Sequence, residues 1–375
     1  MPAAGIPTLS LAARLPPFPW DRLAPYVELA AQHPDGVVDL SIGTPVDPTP
    51  ACVQRALAAA ADAPGYPATA GTASLRAAAA GYLACRFGAA GLDPAAVLPT
   101  VGSKELVALL PTLLGLGRGD VVAVPRLAYP TYDVGARLAG AEPRPSDGVV
   151  ELGPAPVRLI WLNSPANPTG QVLPVAHLAK VVSWARERGA LVVSDECYLE
   201  FGWEVEPVSV LHPDVCGGDL SGLLAVHSLS KRSNMAGYRA GFVAGDPALV
   251  GELLEIRKHA GLIVPAPVQA AMVAALQDHT HVEEQRARYA ARRAVLRPAL
   301  ESAGLRVEHS EAGLYLWATW GESCWDSVRR LARLGILAAP GEFYGAAGAR
   351  HVRLALTASD ERVAAAAARL ADPSA

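Results

Sequence analysis

The segment spanning residues 227–241 carries the residue types best able to react with a carbonyl group. It reads His-Ser-Leu-Ser-Lys-Arg-Ser-Asn-Met-Ala-Gly-Tyr-Arg-Ala-Gly, which places Lys231 eight residues before Arg239 and the hydroxyl of Ser228 upstream of both. A lysine amine can lose its proton and attack a carbonyl carbon, whereas a guanidinium stays charged and pairs with phosphate. The segment therefore suits a phosphate-bearing aldehyde. Taken alone, it is explained equally well as an ordinary surface turn.

Lysine is scarce in this chain, which makes each lysine informative. The 32 basic residues include only four lysines, Lys104, Lys180, Lys231 and Lys258. Because arginine cannot form an imine, a lysine in such a chain is a candidate for chemistry that needs an amine. A chance surface position accounts for Lys180 but accounts poorly for Lys231.

Two further segments place polar groups directly after apolar runs. Leu-Val-Val-Ser-Asp-Glu-Cys-Tyr (191–198) brings Asp195 to the end of a strand, and Asn-Ser-Pro-Ala-Asn-Pro-Thr-Gly (163–170) presents Asn163 and Asn167 from a rigid loop. A buried carboxylate is costly unless it meets a cation or a proton donor, and a protonated pyridine nitrogen is one such partner. Each segment alone is compatible with turn chemistry, but the three in this order are not.

The elements that must position these residues alternate between strands and helices. The predicted strands are Val121–Val124, Val157–Leu162, Leu191–Ser194, Leu223–His227 and Ala240–Ala244. A helix over Val175–Arg188 with Gly189 as its stop fits between two of them. Apolar strands spaced by helices predict an α/β fold with a mostly parallel sheet covered on both faces. Ligands bind such sheets beyond the carboxyl ends of the strands, where Asn163, Asp195 and Ser228 fall.

The pattern of predicted helices and strands changes near residue 282. A long helix over Glu283–Leu300 is followed by Leu305–Glu308, the apolar run Leu314–Ala318, a helix around Trp325–Leu334, and His351–Thr357. This pattern predicts a small α+β domain. We expect an N-terminal segment (1–44) packed on the small domain and active site, a large domain (45–281) and a small C-terminal domain (282–375).

Composition excludes several classes of function. The chain has 375 residues, 51% hydrophobic and 18% charged types, and a net charge of −4, which indicates a globular protein without the basic excess of a nucleic-acid partner. No apolar run is long enough to cross a membrane, so we expect no membrane partner and a cytoplasmic location.

Metal binding and disulfides are not expected either. The cysteine count is five, an odd number, and the absence of C-x-x-C pairs favours free thiols in a reducing compartment. His279 and His281 form an isolated H-x-H without a nearby Cys or Asp to complete a site, which predicts a solvated helix surface.

Together these motifs identify a resemblance that covers nearly the whole chain. The sequence resembles the class I/II aminotransferases of the fold-type-I pyridoxal-phosphate superfamily, most of all the N-succinyldiaminopimelate aminotransferases of actinobacterial type. The resemblance implies pyridoxal 5'-phosphate as cofactor, with Lys231 joined to it covalently and then moving the substrate's proton. It also implies that Asp195 pairs with the pyridinium nitrogen, that Asn167 and Tyr198 bind the phenolic oxygen, and that Tyr129 stacks on the ring.

The same resemblance assigns the cofactor's phosphate and a partner subunit. Ser103 and Lys104, in Val-Gly-Ser-Lys-Glu (101–105), open a helix whose free N–H groups favour an anion, and Ser228 and Arg239 complete the phosphate site. Tyr66 matches a tyrosine that reaches the phosphate of the neighbouring subunit. A homodimer with shared active sites is therefore implied.

Substrate recognition is also implied by the resemblance. Arg353, in Val-Arg-Leu-Ala-Leu (352–356), matches the arginine that holds the substrate α-carboxylate, and Gly43 lies in the segment placed over the substrate. The implied reaction is reversible amino transfer between L-glutamate and N-succinyl-2-amino-6-oxopimelate, on the route to diaminopimelate and lysine. A further cation should then bind the distal carboxylate. The candidates Lys258, Arg22 and Arg232 are each explained equally well as surface charge.

Other functions remain open or are disfavoured. An aspartate-, aromatic- or LL-diaminopimelate-type aminotransferase and a pyridoxal-phosphate-dependent C–S lyase stay as alternatives, since fold alone does not decide the reaction. A cofactor-binding transcriptional regulator is disfavoured because the residues before Leu40 are too few and too rich in proline for a DNA-binding domain. A nicotinamide-dependent dehydrogenase is disfavoured because Gly-Leu-Gly-Arg-Gly (115–119) lacks G-x-G-x-x-G spacing. A structural protein would have no use for these reactive groups.

Overall fold

A computed structural model describes residues 11–371 of the chain. Its helices are α1 (Ala24–Ala30), α2 (Ala51–Ala59), α3 (Ala73–Phe87), α4 (Ser103–Leu113), α5 (Thr131–Ala139), α6 (Val175–Arg188), α7 (Pro213–Cys216), α8 (Leu229–Arg232), α9 (Pro247–Ala260), α10 (Ala266–Gln277), α11 (Thr280–Ser302), α12 (Cys324–Arg333) and α13 (Asp360–Leu370). Its strands are β1 (Val38–Asp39), β2 (Val97–Val101), β3 (Val121–Val124), β4 (Glu142–Pro145), β5 (Val157–Asn163), β6 (Leu191–Asp195), β7 (Leu223–Ser228), β8 (Ala240–Gly245), β9 (Arg306–Glu308), β10 (Tyr315–Thr319), β11 (Ile336–Leu337), β12 (Ala339–Pro340) and β13 (Val352–Ala355).

The central sheet has seven strands in the order β2-β8-β7-β6-β5-β3-β4. Only β8 runs against its neighbours, and β3 to β7 pair in parallel. All five predicted strands are present, to within one residue at either end. The α/β prediction is therefore confirmed.

Both faces of this sheet are buried, which explains the continuous apolar runs of its strands. Along β7, Leu223 and Ala225 pack into one hydrophobic core, whereas Leu224 and Val226 pack into another on the opposite face. Side chains of a strand alternate between faces, so an apolar residue at every position requires a helix layer on each side.

Helix α6 spans the predicted residues Val175–Arg188 and ends at Gly189, which adopts a left-handed φ of 63°. The amide of Gly189 bonds the carbonyls of Ala185 and Arg186, and glycine is favoured here because it has no Cβ. Because the helix ends here, the chain enters β6 at Leu191, and this sets the position of Asp195 at the end of that strand.

A smaller antiparallel sheet of four strands, in the order β12-β13-β10-β9, packs with α11, α12 and α13. The N-terminal segment joins this part through β1, which pairs in parallel with β11 so that Val38 lies opposite Ile336. A buried ion pair of 2.6 Å links Asp47 to Arg292 of α11. The domain boundaries themselves remain a prediction.

Among the described helices, none has the length and apolar character needed to cross a bilayer. The longest, α11, carries five arginines and packs on the small sheet instead.

Candidate active site

A cavity of about 700 Å³ opens at the carboxyl edge of the central sheet. All of the predicted site residues except Tyr66 line it: Gly43, Ser103, Lys104, Tyr129, Asn167, Asp195, Tyr198, Ser228, Lys231, Arg239 and Arg353. Tyr66 is fully exposed and lies outside the cavity wall. Parallel strands end at the same edge, and the structure accordingly brings these residues together.

Asp195 is a buried carboxylate with only neutral donors among its described neighbours. The hydroxyl of Tyr132 donates to Oδ2 over 2.8 Å, and the amide of Cys197 donates to Oδ1 over 3.2 Å. Burial raises the pKa of Asp195 above its usual value, and these two hydrogen bonds oppose the rise. A protonated pyridine nitrogen facing the carboxylate would supply the positive charge that its neutral donors do not.

Lys231 lies in the one-turn helix α8, where the sequence had indicated only a turn. Its Nζ donates to the carbonyl of Gly43. Burial lowers the pKa of Lys231, and the positive charges of Arg353 and Arg239 lower it further. Both effects raise the fraction of neutral amine, which is the form that attacks carbonyl carbon.

The first turn of α4 and the guanidinium of Arg239 lie together in an arrangement that suits an anion. Gly102, just before the helix, has a φ of 72° and provides no side-chain cap for the free N–H groups of the turn. A Cβ on Gly102 would lie 2.2 Å from Nη2 of Arg239, so the guanidinium reaches the helix terminus only because this residue is glycine. Arg239 itself adopts a left-handed φ of 55°, which for a non-glycine residue stores strain at the site.

Lys104 is placed differently from the rest of the predicted phosphate site. Its side chain is exposed at the cavity wall, with Nζ 5.8 Å from the ring centre of Phe18. The ammonium therefore faces the segment Leu15–Trp20, whereas the backbone of the same residue belongs to the first turn of α4.

Arg353 is buried and held on several sides. Nη1 donates to Oδ1 of Asn167 over 2.8 Å, Nη2 donates to the carbonyl of Ser41 over 2.7 Å, and Nε has no partner among the described residues. The guanidinium carbon lies 3.9 Å from the ring centre of Tyr315. A planar donor group so fixed at a cavity wall suits a carboxylate.

The loop 163–170 is fixed to the sheet by Asn163. Its Nδ2 donates to the carbonyl of Asp195 over 2.9 Å, and its Oδ1 accepts from the amide of Asn167 over 2.8 Å. Asn163 thus positions Asn167, whose side chain is engaged with Arg353.

The site fits the cofactor predicted from the sequence. A buried carboxylate, a buried lysine amine with a lowered pKa, and a helix terminus beside an arginine match a pyridinium, an aldehyde and a phosphate in turn. Burial raises the pKa of Tyr129 to about 12, so its phenol stays protonated beside them.

Three features of the site were missed by the sequence analysis. Tyr132 bonds Asp195, Tyr315 bonds Tyr198, and the segment Leu15–Trp20 covers part of the cavity. Tyr132 follows Tyr129 within one turn, in which its amide bonds the Tyr129 carbonyl over 3.1 Å, and this proximity to a predicted site residue could have indicated it. Nothing local marked Tyr315, which lies within the apolar run 314–318.

The three cations proposed for a distal carboxylate do not line the cavity. Lys258 is exposed and pairs with Glu255 at 2.6 Å, and Arg22 pairs with Glu342 at 3.5 Å. Arg232 is buried behind the site, 3.5 Å from a carboxylate oxygen of Glu200. The cations that line the described cavity wall are instead Lys104, Lys231, Arg239 and Arg353.

The expectation of a solvated surface at His281 is wrong. Its ring is buried and bonds Ser233 at 2.8 Å and Asp278 at 3.1 Å. Cys52 joins them, with the ligand atoms of Cys52, Asp278 and His281 within 4.8 Å of one another, so the expectation that no Cys or Asp lies near His281 is also wrong. Asp278 also accepts the amide of His281 at 3.1 Å, so the cluster is explained as the cap of a helix.

Comparisons with known proteins agree with this geometry. Residues 35–370 match the family described as aminotransferase class I and II. The chain is 65% identical to "4-dedimethylamino-4-oxo-anhydrotetracycline transaminase OxyQ" of Streptomyces rimosus, over 95% of this chain and 99% of that protein. It is 66% identical to "Probable aminotransferase Rv1178" of Mycobacterium tuberculosis, over 96% of this chain and 86% of that protein.

A solved structure extends the likeness to the fold. A single mutant of Thermus thermophilus aspartate aminotransferase superposes with a TM-score of 0.87 at 26% identity, over 98% of this chain and 99% of that one. The chain therefore belongs to the class I and II aminotransferases and is a transaminase that uses pyridoxal 5'-phosphate.

Proposed function

We propose that this transaminase moves an amino group reversibly between L-glutamate and N-succinyl-2-amino-6-oxopimelate, in diaminopimelate and lysine biosynthesis. The observation that carries the proposal is that Arg353 and Lys104 line one cavity of about 700 Å³. Both substrates carry carboxylates at two ends, and a buried guanidinium with a second cation at the wall suits such molecules. We therefore assign the distal carboxylate to Lys104, because the earlier candidates Lys258, Arg22 and Arg232 do not line the cavity.

The chain's own residues account for the chemistry. When bound, pyridoxal phosphate supplies an aldehyde that an amino group joins and a ring that accepts the electron pair left at the substrate's α-carbon. Arg353 would hold the α-carboxylate, and the neutral amine of Lys231 would take the α-proton and return it. Asp195 would keep the ring nitrogen positive, while Tyr198 and Asn167 would bind the phenolic oxygen.

The remaining site residues would bind the cofactor and close the site. Ser103, Ser228, Arg239 and the first turn of α4 would hold the phosphate, and Tyr129 would cover the ring. Gly43, whose carbonyl accepts from Lys231, would lie over the substrate.

A second candidate substrate is a large polycyclic ketone. The segment Leu15–Trp20 gives the cavity an apolar wall of proline, leucine and aromatic side chains, together with Ile42. The relative OxyQ is named for a transaminase acting on such a ketone. An apolar wall of this kind would hold fused rings through buried surface.

A competition among amino acceptors tests the proposal. With L-glutamate as donor, we expect kcat/KM for N-succinyl-2-amino-6-oxopimelate to exceed that for short or aromatic oxo-acids by about a hundredfold. Lys104→Met should lower it about tenfold, whereas Lys180→Met, at an exposed position of α6, should not. A preference for the tetracycline-type ketone would favour the second candidate, and a preference for a short acid would reject both.

We also propose a homodimer with shared active sites. Tyr66, Ile42 and Val46 are exposed apolar side chains, and Ile42 lies at the cavity wall. A second subunit could cover them and bring its own Tyr66 to the phosphate. Light scattering should give twice the chain mass, and Tyr66→Phe should weaken cofactor retention; a monomer with full activity would reject this proposal.

A further inference from the structure

Tyr315 stands where three parts of the site meet. It lies on β10 of the small sheet, is buried, and lines the cavity. Its contacts are the hydroxyl of Tyr198, the backbone of Gly43 and the guanidinium of Arg353.

The first contact joins the hydroxyl of Tyr198, just after β6 of the large sheet, to the hydroxyl of Tyr315 on the small sheet. The oxygens of Tyr198 and Tyr315 are 2.9 Å apart, although the residues are 117 positions apart in sequence. A phenol has a single proton to donate. If Tyr198 donates its proton to the cofactor's phenolic oxygen, the hydrogen bond between the tyrosines must be donated by Tyr315.

The second contact is a close approach to the backbone that holds the lysine amine. A Cβ on Gly43 would lie 2.2 Å from the Tyr315 hydroxyl oxygen. The carbonyl of the same glycine accepts from Nζ of Lys231. The Tyr315 hydroxyl therefore lies beside the backbone segment whose carbonyl holds the amine of Lys231.

The third contact involves the ring of Tyr315. The guanidinium carbon of Arg353 lies 3.9 Å from its ring centre, closer than the 4.9 Å to Tyr344. A cation over an aromatic face is attracted to it, so the ring helps to fix the arginine.

We propose that Tyr315 is a positioning residue of the transaminase, whose hydroxyl directs the Tyr198 proton at the cofactor and whose ring holds Arg353. The inference rests on the role proposed above for Tyr198. A hydrogen bond donated to Tyr198 makes its own O–H a stronger donor. Tyr315 then links the part of the site that would bind the substrate carboxylate to the part that would bind the cofactor ring.

Removing the hydroxyl should change the titration of the bound cofactor. With a weaker donor at the phenolic oxygen, negative charge there is less stabilised, and the chromophore keeps its proton to higher pH. The titratable and charged groups that face Tyr315 are Tyr198, Lys231, Arg353, Tyr129, Tyr344 and Tyr289. Tyr315→Phe leaves all of them in place.

The test is a pH titration of the visible absorption band of the purified holoenzyme. For Tyr315→Phe we expect the midpoint to rise by roughly half a unit to one unit. Tyr344→Phe is the matched control, because its ring also packs on Arg353 but its hydroxyl has no partner among the described residues. The control should keep the midpoint, and equal midpoints in all three proteins would overturn the proposal.

A double-variant cycle separates action through Tyr198 from a general disturbance. Tyr198→Phe combined with Tyr315→Phe should shift the midpoint no further than Tyr198→Phe alone, and additive shifts would reject the coupling. In steady state, Tyr315→Phe should lower kcat several-fold with little change in KM, whereas Tyr315→Leu, which also lacks the ring, should raise KM for the amino acid. Because the titration uses no substrate, its result is independent of which oxo-acid the enzyme prefers.

Discussion

Tyr132 donates a 2.8 Å hydrogen bond to Asp195 from a position stacked on Trp161, with ring centres 4.8 Å apart. The tyrosine is completely buried, so this hydrogen bond is shielded from water. It fixes the carboxylate that the site would direct at the cofactor nitrogen and helps to keep it ionised despite its burial.

Tyr132→Phe should therefore move the acid limb of the pH–rate profile. The hydrogen bond lowers the pKa of Asp195, so its loss lets Asp195 take up a proton at higher pH. The acid limb of kcat/KM should shift upward by up to about one unit. Tyr289→Phe, at a buried hydroxyl without a partner among the described residues, should leave the profile unchanged. An unmoved acid limb in Tyr132→Phe would contradict the role.

Lys231 should be the residue joined to the cofactor. Borohydride treatment followed by peptide mass spectrometry should place the reduced cofactor on Lys231, and attachment to another lysine would refute the assignment. Lys231→Ala should abolish transamination while thermal unfolding stays cooperative, whereas Lys180→Ala should remain active.

The amine of Lys231 should also react at unusually low pH in the cofactor-free enzyme. Burial and the neighbouring arginines lower its pKa, so the neutral form appears below the pH at which a lysine in a peptide titrates. Competitive labelling with an amine reagent across pH measures this directly. A midpoint at or above the peptide value would be inconsistent with the site geometry.

Arg353→Lys should impair binding of the amino acid more than cofactor binding. Lysine keeps the charge but lacks the planar pair of donors that Arg353 directs at Asn167 and the Ser41 carbonyl. We expect KM for glutamate to rise by about a hundredfold, measured by steady-state kinetics, with cofactor content unchanged. Equal KM values in variant and wild type would remove Arg353 from substrate binding.

Gly102→Ala should weaken cofactor affinity about tenfold. The new Cβ would meet Arg239 at 2.2 Å and displace the guanidinium from the start of α4. Gly36→Ala is a close control, because Gly36 has a φ of 74° against 72° for Gly102 but open space around its Cβ position. Both variants place a Cβ on a residue with a positive φ, so a loss of cofactor affinity seen only in Gly102→Ala points to the crowding of Arg239. Similar losses in both would show that strain alone is responsible.

The predicted site residues Asn163, Asp195 and Ser228 lie close together because of the geometry of the parallel sheet. Asn163 and Asp195 end neighbouring strands and lie opposite each other in the register, and Ser228 ends the next strand. In a parallel sheet such positions share an edge, so an apolar run followed by a polar residue predicts both the fold and the location of the site. Lys231 follows within one helical turn of that edge.

Other site residues are brought in by packing between elements that are distant in the sequence. Their positions could not be predicted from strand ends. Tyr315 reaches Tyr198 only because the small sheet docks beside the large one, and the direction taken by Arg232 depends on the buried Glu200. His281 is buried by contacts that its local pattern does not encode.

The sequence alone therefore predicted the fold class and placed Lys231 and Asp195 at one edge of the sheet, because strand periodicity and strand ends are local properties. The tertiary structure decided which tyrosines support Asp195 and Tyr198, which cation lines the cavity, and which segment covers it. Those contacts join residues far apart in the chain, and their geometry is set by how whole helices and sheets pack.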